Sequence, residues 1–156
     1  MAELKSALES SGFVNVKTYI QSGNVVLQTT ATKGQVQEAI KTMINERFGL
    51  DVEVFVLTLK ELEVALHHNP FGGECAPTKV YVTFLYDVPN EALVENLKAV
   101  DHGAESFEVN HNVLYFYVPD GMANAKMSNN YFEKKLKIVA TGRNLNTVGK
   151  MIALAQ

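Results

Sequence analysis

Apolar and polar positions alternate along this chain with two periods, and the switches between them mark the expected elements. Leu4, Ala7 and Leu8 recur at helical spacing between Glu3 and Ser11, and Gly12 supplies the residue that commonly follows a helix end. Val14, Val16 and Thr18 then alternate with Asn15, Lys17 and Tyr19, and a second run resumes at Val25-Val26-Leu27-Gln28. The two predict a hairpin turning at Ser22-Gly23-Asn24. Thr32 and Gln35 have capping-box spacing ahead of Val36, Ala39, Ile40, Met43 and Ile44, so a helix is expected up to Gly49. Val52–Leu57 reads as the next strand. Thr58 and Glu61 form a second capping box, and Leu59, Leu62, Ala65 and Leu66 give a connector helix that must stop near Asn69-Pro70. The chain's main concentration of Pro and Gly, residues 69–77, follows as a loop.

From Lys79 the pattern predicts a strand over 79–86, a helix over 89–99 and two strands, 105–109 and 113–118, paired around Asn110-His111-Asn112. A helix over 124–137 and a short strand over 138–141 follow. The order strand, helix, strand, strand, helix, strand is that of a ferredoxin-like unit. Residues before 58 have the same order without its first strand. The expected fold is therefore α+β: two tandem ferredoxin-like (βαββαβ) units over 1–57 and 79–156, the first lacking its first strand, joined by a connector helix and loop over 58–78. A C-terminal helix follows, with Leu145, Val148, Ile152 and Ala155 as its packing stripe. In such a topology the first strand lies inside the sheet, so its loss leaves a gap rather than an edge. An N-terminal strand missing from this sequence, or another strand filling the gap, is the expectation.

Composition narrows the function classes. The chain has 156 residues, 47% hydrophobic and 20% charged, which suits a globular protein with its own core rather than a disordered, fibrous or disulfide-built one. No apolar run approaches the ~20 residues of a membrane span, and Met1-Ala2-Glu3-Leu4-Lys5 lacks the order of a signal peptide. A cytoplasmic location without membrane partners is expected, and the single Cys75 agrees with it. Charge is uneven. Residues 1–50 hold five Lys/Arg and four Asp/Glu, residues 51–120 hold three and twelve, and residues 121–156 hold six and one. The basic C-terminal segment suits either an anionic partner or an acidic surface of the same molecule.

Lys126, Ser128, Asn129, Thr141, Arg143, Asn144 and Thr147 bring hydrogen-bonding and cationic groups to the expected starts of the last two helices. Helix N-termini attract anions, and an Arg fork clamps phosphate, so these residues form a candidate site for a phosphate-bearing ligand. The structural alternative makes Ser128 and Asn144 helix caps and pairs Arg143 with a carboxylate of the acidic middle segment. In the hairpin turn, Gly23 and Asn24 are residue types that the backbone geometry demands, which leaves Gln21 as the turn's candidate ligand-binding residue. One strand face displaying Tyr81, Tyr115 and Tyr117 would suit stacking of nucleic-acid bases, although the RNP pattern is missing.

His67 and His68 point about 100° apart on a helix, and His102, His111 and Cys75 are scattered, so no metal site is expected. Phosphate-loop, dinucleotide and nucleophile-elbow motifs are absent, and no cofactor or catalytic group is expected. Two classes remain: a non-enzymatic binder of a phosphate-bearing ligand, nucleotide or nucleic acid, and an interaction module or homodimer that uses sheet edges.

Tyr19-Ile20-Gln21-Ser22-Gly23-Asn24-Val25-Val26 resembles the hallmark of a bacterial family known as domain of unknown function sixteen ninety-seven. Asn69-Pro70-Phe71, the strand 79–85, Lys126-Met127-Ser128-Asn129 and the run 141–148 fall in the family's order, so the resemblance covers essentially the whole chain. It implies two ferredoxin-like units and no established activity. It also implies an extra N-terminal strand and a Gly-rich loop that this sequence lacks. Ala125 stands where a Ser usually precedes the Lys, and Leu145 stands where the C-terminal motif commonly has Trp.

Overall fold

Hydrophobic periodicity becomes buried faces of helices and strands. The computed structural model describes residues 2–20 and 23–156. It is an α+β protein with two antiparallel sheets. The chain divides into one unit made of residues 1–62 with 150–156 and another made of residues 63–149.

In the first unit, α1 (Ala2–Ser10) precedes a hairpin of β1 (Val14–Tyr19) and β2 (Asn24–Gln28), and α2 (Lys33–Phe48) follows. The sequence signals at α2 are realised in full: Thr32 and Gln35 form the capping box, and Gly49 closes the helix at φ 67°. Ala7, Leu8, Val16 and Met43 are buried together, with Phe13, Val25, Leu27 and Ile40 packed against them. The segment Val52–Leu57, expected as a strand, lies outside both sheets. Alternation alone does not make a strand, because the stabilising unit is the cross-strand pair.

The Thr58–Glu61 box is formed, with the Thr58 N–H donating to Glu61 Oε2 at 2.7 Å ahead of α3 (Leu59–His67). The second unit then contains β3 (Val80–Leu85), α4 (Glu91–Lys98), β4 (Ser106–Asn110), β5 (Val113–Tyr117), α5 (Asn129–Leu136) and β6 (Ala140–Asn144). The last runs directly into α6 (Leu145–Ala155). The four strands lie in the order β4-β5-β3-β6, all antiparallel, so β3 is internal and β4 and β6 are the edges. Side chains alternate across a strand, and here both faces of β3 are filled. One face carries Leu85, Leu114, Phe116 and Val118 against Val94 and Leu97 of α4 and Phe132 and Leu136 of α5. On the other, Val80, Val82 and Tyr115 are also buried, and the Tyr115 hydroxyl donates to the Ala65 carbonyl of α3 at 2.6 Å.

Two boundaries differ from the sequence reading in ways that move candidate residues. The helix expected from 124 begins at Asn129, because Ser128 is its cap and Met122–Asn124 forms a separate 3₁₀ turn. The last strand, expected over 138–141, runs from Ala140 to Asn144. Thr141 and Arg143 therefore belong to the ladder opposite Phe84 and Val82, and not to the start of a helix.

Candidate functional site

The register of β6 on β3 decides where the candidate residues point. Arg143 and Thr141 share one face of the edge strand, and Arg143 Nη1 donates to Thr141 Oγ1 and to the Gly142 carbonyl, both at 2.9 Å. The guanidinium is partly buried, and that burial lowers its pKa. Asn144, the last residue of β6, accepts the Thr147 N–H at 2.9 Å through Oδ1 and so caps α6, while Thr147 itself is buried. The structure thus brings Thr141 to Arg143 and Asn144 to Thr147, both pairs at the β6–α6 junction.

The other three candidates of this segment gather elsewhere in the same unit. Ser128 caps α5 by accepting the Tyr131 N–H at 3.1 Å. Asn129 donates through Nδ2 to the Ala140 carbonyl at 3.0 Å and to Glu133 Oε1 at 3.3 Å, and Glu133 Oε2 accepts the Ala140 N–H. These bonds tie the first turn of α5 to the first residue of β6. Asn129 meets β6 at Gly142, on the face opposite Arg143, so the seven residues form two groups rather than one cluster. Lys126 sits on a carboxylate clamp: Glu105 accepts the Lys126 N–H at 3.0 and 3.1 Å and the Met127 N–H at 2.8 Å. Gln21 lies outside the described residues.

Sequence reasoning missed Glu105, Glu133 and Thr83, and it set His102 aside as one of the scattered histidines. Glu133 was findable, since it stands one helical turn after Asn129. Glu105 carried no local signal, because its partners lie 21 and 22 residues away. Nor do the three tyrosines make a stacking platform. Tyr81 pairs with Phe116 and stacks on it at 4.9 Å, whereas Tyr115 and Tyr117 point to the other face and Tyr115 is buried.

His102 Nε2 lies 2.8 Å from the Tyr131 hydroxyl, with the rings of Phe107 and Tyr131 edge-on at 5.9 and 5.7 Å. It borders a groove of about 380 Å³ lined also by Lys98, Asp101, Glu105 and Ser106. Burial lowers the His102 pKa, aided by Lys126 and opposed by Glu105 and Asp101. A histidine whose folded-state pKa is depressed adds stability that is complete above its unfolded value of about 6.5 and is lost as pH falls from there through the folded value. Urea midpoints should therefore drop between about pH 7.5 and pH 5.5, and His102→Gln should flatten that drop. An unchanged pH profile in the variant would assign the effect to other groups.

Among the described residues, no group of three or more His, Cys, Asp or Glu side chains is gathered as for a metal ion. No described helix is long and apolar enough to cross a membrane.

A family model described as a protein of unknown function, DUF1697, matches residues 1–115. The chain belongs to the DUF1697 family. This match spans the hairpin turn, both capping boxes and the strands up to β5, and it stops before α5, β6 and α6. Among solved structures, a conserved bacterial protein from Streptococcus pneumoniae is similar to this DUF1697 chain in fold. It aligns with 100% of this chain and 88% of its own length at a TM-score of 0.72 and 18% sequence identity. No curated protein matches the chain.

Proposed function

We propose that this DUF1697 protein is a non-enzymatic, cytoplasmic binder of a phosphate-bearing ligand, a nucleotide or nucleic acid, held by Arg143 and Thr141 at the β6–α6 junction. The observation that carries the reading is the partly buried Arg143 guanidinium, set beside a hydroxyl on an edge strand one residue ahead of Asn144 and the first turn of α6. The planar fork of a guanidinium matches a phosphate through two parallel charge-assisted bonds. Thr141 adds a hydroxyl, and the dipole of α6 adds partial positive charge at that end of the strand.

A thermal-shift panel of nucleotides, phosphorylated metabolites and short RNA tests this on wild type and Arg143→Ala. A ligand at a hundred times its Kd adds about 2.7 kcal/mol to the folded state, a clear rise in Tm. The rise should be absent in Arg143→Ala. A rise that survives the substitution places the ligand elsewhere, and no rise with any phosphate compound sinks the reading.

A second reading is favoured by the two sheet edges, β4 and β6: a homodimer or interaction module that pairs through them. Solution mass that increases with concentration would support it, with no phosphate dependence. For the architecture, we infer tandem ferredoxin-like units, 79–156 and an incomplete 1–57, with 58–78 between. Support for the second comes from its strand order and the two crossovers carrying α4 and α5. Among the described residues, the first has the β1–β2 hairpin between α1 and α2.

A further inference from the structure

Thr83 sits in the middle of β3 with no exposed surface, and its hydroxyl oxygen has no hydrogen-bond partner. Asn129 Oδ1, at the first residue of α5, is likewise buried and unpartnered. Both atoms converge on Gly142 of β6: a Cβ there would lie 3.0 Å from Thr83 Oγ1 and 3.6 Å from Asn129 Oδ1. The orientation of the Asn129 amide is not arbitrary. Its nitrogen is committed to the Ala140 carbonyl and the Glu133 carboxylate, both acceptors, so the atom left facing Gly142 must be the oxygen. A buried hydroxyl or amide oxygen left without a partner destabilises the fold, and buried polar groups in folded proteins are almost always satisfied.

We propose that Thr83, Asn129 and Gly142 form a binding site for one internal water molecule, which joins β3, β6 and the start of α5. The chemistry selects the occupant. Asn129 Oδ1 only accepts, so the occupant must donate; Thr83 Oγ1 does either, so the occupant need only complement it. Water, with its two donors and two acceptors, meets both demands. No charge is supplied to hold an ion, since the nearby Glu133 carboxylate is engaged by Asn129 Nδ2 and the Ala140 N–H. The site is independent of the phosphate reading, because it lies on the opposite face of β6 from Arg143.

A high-resolution crystal structure of the wild-type chain decides the matter, with the Tm of Thr83→Val as a second readout that needs no crystal of the variant. The expected result is one water within hydrogen-bond reach of both oxygens, and a lower Tm in Thr83→Val, which keeps the shape but removes one of the water's partners. A rotated Thr83 that donates straight to Asn129 Oδ1, with no water, would overturn the proposal. So would a Tm that holds or rises in Thr83→Val, as follows when an orphaned hydroxyl is simply removed.

Discussion

Replacing Phe132 with alanine is expected to destabilise the protein by about 3–5 kcal/mol, lowering Tm by roughly 6–20 °C. Phe132 has no exposed surface and is the hub of an aromatic cluster. Phe116 of β5 lies 5.1 Å away, Phe107 of β4 5.5 Å and Tyr131 5.4 Å between ring centroids. The two phenylalanines come from different strands, so the Phe132 side chain ties α5 to both of them. Truncation removes the transfer energy of a whole ring and leaves a cavity that three rigid aromatic neighbours cannot collapse to fill. A control on the first unit separates packing from composition: Phe48→Ala removes the same ring at a position 37% exposed, and should cost well under half as much. Urea unfolding of both variants provides the comparison, and equal losses would show that burial is not what the Phe132 ring contributes.

Much of this architecture was legible because periodicity reports burial. The helix spacing of Val36, Ile40 and Met43 marks a face that the structure does bury, whereas in β3 the alternation marks a strand whose two faces are both buried. Local capping chemistry was equally legible, since Thr32–Gln35 and Thr58–Glu61 act within three residues of chain. Pairing register was not. The hidden register is what sends Tyr81 to the face of Phe116 and Tyr115 to the other, and it also carries β6 beyond the expected Thr141, to Asn144. A one-residue offset between strands inverts every side chain, and nothing in either strand alone states that offset. The candidate site suffered for the same reason. Asn144 and Ser128 do cap helices, as their residue types suggest, but the sheet places Arg143 and Asn129 on opposite faces, so one expected cluster became two.

Glu105→Ala should cost about 2–3 kcal/mol, an effect far above that of an ordinary surface carboxylate. The Glu105 side chain spans the gap from the residue before β4 to the segment before α5, where its two oxygens accept the Lys126 and Met127 N–H groups. Hydrogen bonds to an ionised acceptor are worth roughly 1.5–3 kcal/mol, and removing the carboxylate also leaves two backbone donors to find water. For Lys126 that is easy, because the residue is exposed. Met127 is different: its side chain is fully buried in the core, so its N–H cannot turn outward without withdrawing the side chain. Release of this segment would also loosen Ser128, whose hydroxyl caps α5 at the Tyr131 N–H. Glu105→Gln keeps one acceptor oxygen and should recover part of the loss, whereas Glu108→Ala, which removes an acid of β4 itself, should change stability by less than about 0.5 kcal/mol. Denaturant unfolding of the three variants should rank Glu105→Ala lowest and Glu105→Gln intermediate, with Glu108→Ala near wild type. If Glu105→Ala unfolds with the wild-type midpoint, the clamp contributes nothing, and the segment before α5 is held by the burial of Met127 alone.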